Sequence, residues 1–257
     1  MEKGLFALCA TFVLSAPACA ALNDLGNGLV NDTTLNIMWL KDANLVKTSC
    51  DANNALWQAF DPTVVANNSG RSKVGICADG GSLNWDEAEA WIGILNAQSY
   101  LGYNDWRQPA TAQPDATCSL TNGNGQSYGF RCVGSELGHL FNVSLGNQND
   151  LDSSCSPNCL TSTGPFNNMQ PYAYWSGTES DAISTDAWNL YTQDGLQFVY
   201  GKTHVLSVWA VRSGQAAVSP VATAQPVPAL DGFGLAALGL LLAGLASRSR
   251  SRRMQHK

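Results

Sequence analysis

The clearest structural pattern in the chain lies in residues 171–214, PYAYWSGTESDAISTDAWNLYTQDGLQFVYGKTHVLSVWAVRSG. Over residues 187–192 and 196–200, larger apolar side chains alternate with polar or smaller ones, which is the period of a β-strand. Asp194-Gly195, between these runs, predicts a two-residue hairpin turn. The last run, 205–212, is apolar on both faces and is therefore predicted to lie in the middle of a sheet. The whole stretch predicts an antiparallel meander against which the rest of the domain packs.

The first 20 residues are typical of a secretory signal peptide. They combine Lys3, an apolar run and the small-residue end Ala18-Cys19-Ala20, with cleavage expected before Ala21. A lipoprotein signal, with Cys19 as the acylated residue, is the alternative. Either signal predicts export, and the exported domain is expected to span residues 21–214.

The other end of the chain is predicted to contain a linker and a short transmembrane helix. Residues 215–228 are rich in Ser, Ala, Pro and Val, and residues 229–257 combine an uncharged run with five basic residues. The 15 residues from 232 to 246 would form a helix of about 22 Å, which is short for a hydrocarbon core of about 30 Å. A buried core helix is the alternative. Because basic residues after an apolar span stay in the cytoplasm, the tail predicts a transient inner-membrane anchor with the domain outside.

The exported part is strongly acidic. Residues 21–217 carry 8 Lys and Arg against 18 Asp and Glu, a net charge of −10, compared with −6 for the whole chain. Such a surface repels phosphate backbones and sulfated polymers at long range, so nucleic acid is not expected as a partner. The combination of 8 Trp, 24 Gly and only 13% charged residues indicates a loop-rich domain packed with aromatic side chains.

Two helices are predicted. The first begins after Asn84, which can form a capping box with Glu87, and ends before Gly102. The second begins after Ser135. The remaining segments are expected to be long loops, including an insertion of little periodicity over residues 44–83. The apolar side chains expected to face the sheet are Ala88, Trp91, Ile92 and Leu95 in the first helix and Leu137, Leu140 and Phe141 in the second.

Six cysteines remain after removal of the signal peptide, an even number that predicts disulfides in an exported chain. Fifteen connectivities exist for six cysteines, and proximity in the sequence favours pairing each cysteine with its neighbour. Zinc or a redox pair is the alternative, although the spacing of Cys155 and Cys159 is one residue longer than C-x-x-C. The favoured pairs are Cys50–Cys77, Cys118–Cys132 and Cys155–Cys159.

Several blocks of the chain, taken in order, resemble the Lcl C-terminal domain family, which is also found at the end of a collagen-like bacterial adhesin. The blocks are GLVNDTTLNIMWLKDAN (28–44), GYNDWRQP (102–109), SELGHLF (135–141), YWSGTE (174–179) and WAVRSG (209–214). The resemblance implies an α+β domain of C-type lectin-like fold, with two helices against a twisted antiparallel sheet and long disulfide-stapled loops. It implies no reaction. The chain departs from the usual family pattern at Gln108, where leucine is usual, at Ala110, where threonine is usual, and at Gly177, where serine is usual.

The tail resembles a second family pattern, the exosortase-type sorting signals known as PEP-CTERM and IPTL-CTERM. Val-Pro-Ala-Leu at residues 227–230 is nearer to Ile-Pro-Thr-Leu than to Val-Pro-Glu-Pro. The resemblance implies an exosortase-type processing enzyme as a partner. It also implies display in the cell envelope or extracellular release after cleavage.

Two loops offer oxygen-rich side chains that could hold calcium. Asn149, Asp150 and Asp152 form the most acidic loop, and residues 122–126 form the most amide-rich loop. Neither has the ligand spacing of a calcium loop, so solvated loops are favoured and calcium stays an open alternative.

Other polar residues are given structural roles. Glu136 and His139 lie three positions apart and could face one metal, but a solvated or core-edge histidine is favoured. Asp105 and Arg107 are expected to form an ion pair or to cap backbone groups. Glu179 is expected to be buried and hydrogen-bonded rather than catalytic, and no catalytic residue is predicted.

The aromatic side chains near the end of the domain suggest a surface on which sugars could stack. Tyr128 and Tyr172 are expected to be exposed and to bind ligand, whereas Tyr174, Trp175 and Trp188 are expected to pack in the core. The function predicted is therefore a non-enzymatic, exported module that binds a polysaccharide or surface glycan in the envelope or biofilm matrix, in the manner of an adhesin. An enzyme related to the formylglycine-generating group, which would need a free cysteine or a metal, and a purely structural matrix protein are the alternatives.

Overall fold

A computed structural model describes residues 22–65 and 70–214 of the chain. The predicted signal peptide, linker and tail helix lie outside these residues. Within the described ranges, no helix combines the length and the apolar character that crossing a bilayer requires.

The described residues form a mixture of helices and antiparallel sheets, which confirms the α+β class. The strands are β1 (Leu22–Asp24), β2 (Leu29–Asp32), β3 (Ile37–Leu40), β4 (Leu120–Thr121), β5 (Ser127–Tyr128), β6 (Ala173–Glu179), β7 (Asp186–Tyr191), β8 (Gln197–Gly201) and β9 (Val211–Ser213). The helices are α1 (Leu45–Ala52), α2 (Ala55–Ala59), α3 (Lys73–Ala78), α4 (Trp85–Ala97), α5 (Glu136–His139) and α6 (Asp150–Ser153). The strands pair into three sheets with the orders β1-β2-β3-β9, β4-β5 and β6-β7-β8.

The predicted single meander is divided between two of these sheets. The expected strand over 205–212 is wrong, because only Val211 and the two residues after it form a strand, with Val211 opposite Trp39 of β3. Leu206 and Ser207 form isolated bridges to other segments. The run crosses from the three-stranded to the four-stranded sheet, so no single neighbour pairs with it along its length. Its expected burial is confirmed, since Leu206 is 1% and Val211 0% exposed.

The hairpin between β7 and β8 is present, but its turn is longer than the two residues predicted. The Tyr191 amide donates to the Leu196 carbonyl, and the Gly195 amide donates back to the Tyr191 carbonyl, so four residues form the loop. Gly195 has φ +82°, and a Cβ there would lie 2.7 Å from that of Asn149. Glycine is therefore required both by the backbone conformation and by the packing.

Helix α4 follows its sequence signals closely. The Asn84 side chain accepts a hydrogen bond from the Glu87 amide (2.8 Å), and the Glu87 carboxylate accepts one from the Asn84 amide (2.9 Å). These two bonds are the predicted capping box. The helix itself ends at Ala97, before a short 3₁₀ turn that reaches Gly102. The predicted apolar stripe is buried at Ala88, Trp91, Ile92 and Leu95.

The insertion expected over residues 44–83 is instead mostly helical, with α1, α2 and α3 in this region. Helices of five to eight residues are too short to repeat an apolar stripe, so the sequence carries no periodic signal for them. Each begins with a side chain that accepts a hydrogen bond from a first-turn amide. These N-cap residues are Asn44 for α1, Asn54 for α2 and Ser72 for α3.

The second predicted helix is also present. It runs as α5 and continues as a π-helical turn over Leu140–Ser144. Its three expected core residues are buried, at 4% exposure for Leu137 and 1% each for Leu140 and Phe141.

All six cysteines in the described residues form disulfides, in the pairs that sequence proximity favours. The Cys50–Cys77 bond joins α1 to α3, and the Cys118–Cys132 bond closes the base of the β4–β5 hairpin. The third bond, Cys155–Cys159, closes the loop after α6.

An aromatic cluster joins the two larger sheets around Trp209, which is 1% exposed. Its ring centroid lies 4.8 Å from that of Phe166, 5.0 Å from Trp39 and 5.4 Å from Tyr174. Its indole N–H donates to the Leu40 carbonyl at 2.7 Å. The crossing segment therefore contributes the central side chain of the core.

Candidate functional site

The amide-rich loop over residues 122–126 is the tip of the β4–β5 hairpin, and its side chains hold the turn together. The Asn122 Oδ1 atom accepts from the amides of Asn124 and Gln126, both at 3.0 Å. The Asn122 Nδ2 group donates to the Gln126 Oε1 atom at 3.0 Å. The side-chain oxygens of Asn122 and Gln126 are therefore engaged within the turn, which leaves the loop without the several free oxygens that calcium needs.

The same hairpin is attached to the edge of the three-stranded sheet. Gly129 and Gln197 exchange two backbone hydrogen bonds, of 2.9 and 2.7 Å. This pairing places Tyr128 beside Phe198, with ring centroids 5.8 Å apart and planes at 70°. Phe198 is 39% exposed although it lies on a strand, so an aromatic pair is accessible at this edge.

A groove of about 290 Å³ lies between the hairpin and the loop that joins β6 to β7. Its walls combine exposed apolar side chains, such as Ile183 (51% exposed), with the buried Trp188 (2%). A second cavity of about 320 Å³ shares part of this wall. Residues that line only the first are Asn122, Tyr128, Ile183, Trp188, Phe198 and Val199. Residues that line both are Asn124, Gln126 and Ala182.

Of the two tyrosines predicted to be exposed and to bind ligand, only Tyr128 lines this groove, and it is half-buried rather than exposed. Tyr172 is 46% exposed, as expected, but its ring contacts Tyr191, with centroids 5.7 Å apart. The two candidates thus belong to different aromatic contacts. Tyr174, Trp175 and Trp188 are buried, as expected.

The sequence pattern did not point to Phe198 or Ile183. One signal was present at Ile183, a large apolar residue within the otherwise small and polar segment 180–185. Phe198 could not be distinguished from a core residue, because the alternation of β8 alone does not tell which face is covered.

The acidic loop at α6 has internal partners for its side chains. Asn149 is 3% exposed and caps α6 by accepting from the Asp152 amide at 3.1 Å. The Asp150 carboxylate accepts from the Ser156 amide at 2.8 Å. Asp152 pairs with Arg131, and this hydrogen bond lowers the pKa of the Asp152 carboxyl. A guanidinium in direct contact with the carboxylate disfavours a cation at this loop, so the donor set does not fit calcium.

Glu136 and His139 do not form a metal pair. Both Glu136 oxygens accept from Arg107, at 2.6 and 2.7 Å, and one also accepts from the Ala110 amide at 2.7 Å. The Arg107 guanidinium thereby links α5 to the segment over residues 107–110. Asp105 and Arg107 do not pair with each other, because Asp105 pairs with Arg212 at 2.7 Å. The alternative expectation, capping of a backbone group, is met by Arg107, which donates to the Gln108 carbonyl at 3.0 Å.

Glu179 is exposed, not buried as expected, and pairs with Lys202 at 2.7 Å. The register of β6 against β7 shifts between Trp175 and Glu179. A bulge of this kind changes the direction in which the following side chains point. Because the bulge interrupts the regular alternation of the strand, the exposure of Glu179 could not be predicted from that alternation.

Two of the departures from the family pattern lie next to each other. A Cβ on Gly177 would lie 3.2 Å from that of Gln108. The buried Gln108 (3% exposed) donates through Nε2 to the Glu89 Oε1 atom at 2.6 Å. The absence of a side chain at Gly177 therefore leaves room for a polar Gln108–Glu89 contact on α4.

This contact leads to a prediction about pH. Neighbouring atoms desolvate the Glu89 carboxyl and raise its pKa, an effect that the Gln108 hydrogen bond opposes and the charges of Asp86 and Glu179 increase. A raised pKa in the folded state means that stability falls as the pH rises from the unfolded to the folded pKa. Glu89→Gln removes this loss, but the Glu89 side chain is exposed and solvent screens the effect. We therefore expect its Tm at pH 7 to exceed that of the wild type by only about 1 °C, with the gain shrinking below about pH 4.

Thermal unfolding of both proteins between pH 3.5 and 8 measures this difference. Asp24→Asn is the control of opposite sign, because the Lys41 hydrogen bond lowers the pKa of Asp24. That variant should lose stability at pH 7 rather than gain it. A Glu89→Gln gain that is equally large at pH 3.5 and pH 7 would contradict the prediction.

Comparison with known protein families agrees with the two sequence resemblances. The Lcl C-terminal domain matches residues 28–212, from the start of β2 into β9, and the IPTL-CTERM motif matches residues 225–253. No curated protein and no solved structure matches the chain, so the C-type lectin-like description of the fold stays a prediction. The C-terminal motif fits exosortase-type processing and indicates an exported, envelope-associated protein. With its family match covering most of the chain, the protein belongs to the Lcl C-terminal domain family.

Proposed function

We propose that the domain is a non-enzymatic module that binds a polysaccharide of the cell surface or matrix through the groove beside Phe198. The observation that carries the proposal is the contact of the exposed Phe198 with the half-buried Tyr128, at a groove also lined by the amide side chains of Asn124 and Gln126. Aromatic faces pack against the apolar faces of sugar rings, while amides exchange hydrogen bonds with hydroxyl groups. Grooves that bind small ligands are typically lined by apolar and aromatic side chains together with a few polar groups.

The alternative enzyme of the formylglycine-generating type receives no comparable support. It needs a reactive thiol or a metal site, and every cysteine in the described part of the chain is in a disulfide. A disulfide sulfur is neither a thiolate nucleophile nor a metal ligand. The binding module is therefore the better proposal for residues 22–214.

The test is a glycan-array screen of the purified full chain with its disulfides intact, followed by calorimetry on the glycans that bind. Phe198→Ala is expected to weaken binding by about tenfold or more, because a large aromatic contact is lost. Leu151→Ala is the matched control, since Leu151 is 54% exposed on α6 and lines neither cavity. Binding should be the same with calcium and with a chelator, and the Tm of both variants should stay within about 2 °C of the wild type.

Two results would overturn the proposal. Equal affinities for Phe198→Ala and Leu151→Ala would show that the groove is not the binding site. Failure of any glycan to bind would leave the structural matrix role, in which retention depends on the tail rather than on the domain.

A further inference from the structure

The cationic side chains of the domain are already engaged. Residues 22–214 contain eight Lys and Arg, and seven of them form ion pairs. The pairs are Lys41–Asp24, Lys47–Asp51, Arg71–Asp79, Arg107–Glu136, Arg131–Asp152, Lys202–Glu179 and Arg212–Asp105. The eighth, Lys73, donates to the Trp57 carbonyl and lies over the Trp57 ring. A sulfated or uronate-rich polymer would therefore find no unengaged Lys or Arg on this part of the chain.

The groove region has the opposite character. Neither cavity is lined by Lys, Arg or His, and the second cavity is lined by the carboxylate residue Asp181. Asp181 is exposed and, among the described residues, makes no hydrogen bond or ion pair. The side-chain amide of Asn124, which lines both cavities, is likewise without a hydrogen-bond partner in the described residues. An anionic acceptor and an unengaged amide thus adjoin the aromatic groove.

We propose that the preferred ligand is a polysaccharide that contains amino sugars with free ammonium groups, bound with an ammonium group against Asp181 and a neighbouring sugar ring against Phe198. This inference rests on the proposed function and names the chemical class of its ligand. An ammonium group offers up to three donors to a carboxylate, and charge-assisted hydrogen bonds of this kind are stronger than neutral ones. The net charge of the domain attracts a polycation at long range and repels a polyanion.

Because the two cavities adjoin, we expect the ligand to be an oligosaccharide rather than a single sugar. They share the wall formed by Asn124, Gln126 and Ala182, so a chain that fills one reaches the other. The apolar side of this wall, with Ile183 and Phe198, packs against the ring faces. The polar side, with Asp181, selects the amino group.

The experiment compares four probes by calorimetry with the full chain: a glucosamine tetramer, an N-acetylglucosamine tetramer, cellotetraose and heparin. The wild type is expected to bind the glucosamine tetramer about five- to tenfold more tightly than the two neutral tetramers, with no measurable binding to heparin. Asp181→Asn should remove this preference without weakening the binding of cellotetraose. Asp61→Asn is the matched control, because it makes the same change in charge, lines neither cavity and leaves an N-cap residue at the same place.

The outcomes separate this inference from the function on which it rests. The inference is overturned if the wild type binds all three tetramers equally and Asp181→Asn does not change their affinities. If Phe198→Ala weakens that binding, the proposed carbohydrate-binding function still stands. An equal loss in Asp181→Asn and Asp61→Asn also overturns it, because the attraction is then a property of the whole charged surface. If no tetramer binds and Phe198→Ala has no effect, the proposed function itself fails.

Discussion

Replacing Gly138 with alanine is expected to destabilise the domain by about 3 kcal/mol or more, with a fall in Tm of roughly 6–12 °C. A Cβ at this position would overlap the carbonyl oxygen of Cys132 and lie 3.0 Å from its carbonyl carbon. The obstacle is backbone, which cannot rotate aside as a flexible side chain does. Cys132 is also tied to Cys118 by a disulfide, so the segment has little freedom to withdraw.

Gly93→Ala provides a matched control for this substitution. Gly93 lies within α4 on its exposed side, and a Cβ there would meet no atom within 4 Å. Because alanine is the better helix former, we expect this variant to be more stable by about 0.5–1 kcal/mol. Urea and thermal unfolding of the two variants measure both effects. A Gly138→Ala protein that unfolds at the wild-type temperature would show that the Cys132 carbonyl can move.

Trp209→Ala is expected to cost about 3–5 kcal/mol, which is the range for removal of a large aromatic side chain from a core. The side chain is 1% exposed and contacts three other rings, so its loss leaves a cavity between the two larger sheets. The Leu40 carbonyl also loses its indole donor. We expect a Tm lower by roughly 6–20 °C.

Trp209→Phe separates the two contributions. Phenylalanine retains most of the aromatic contact but cannot donate to the Leu40 carbonyl, so its loss of stability should be intermediate, about 1–2 kcal/mol. Val64→Ala, at a side chain that is 79% exposed, should change stability by less than about 0.5 kcal/mol. A Trp209→Ala loss no larger than that of Trp209→Phe would indicate that the ring packing contributes little.

Features that depend on near neighbours in the sequence were predictable. The capping box of Asn84 and Glu87, the hairpin at Asp194-Gly195 and the pairing of successive cysteines each join residues no more than 27 positions apart. The helices α1 to α3 were not predicted, because they are too short to show a period and their caps resemble ordinary turn residues.

The candidate site was predicted only in part, because it is assembled from distant segments. Tyr128 was identified as a candidate ligand-binding residue, but its partner Phe198 is 70 positions away and lies on another strand. The ion pairs raise the same difficulty. Arg107 and Asp105 are neighbours in the sequence, yet their partners, Glu136 and Arg212, are decided by how α5 and β9 pack.

The pairing of β3 with β9 also determines when the domain can finish folding. A chain is made and exported from its N-terminus, and Trp39 must wait for Val211, 172 positions later, before its strand has a neighbour on that side. Until then the edge of β3 is unpaired, a state in which strands associate with other chains. Because β9 lies at the end of the domain, the four-stranded sheet cannot be completed until residues 211–213 are available to pair with β3.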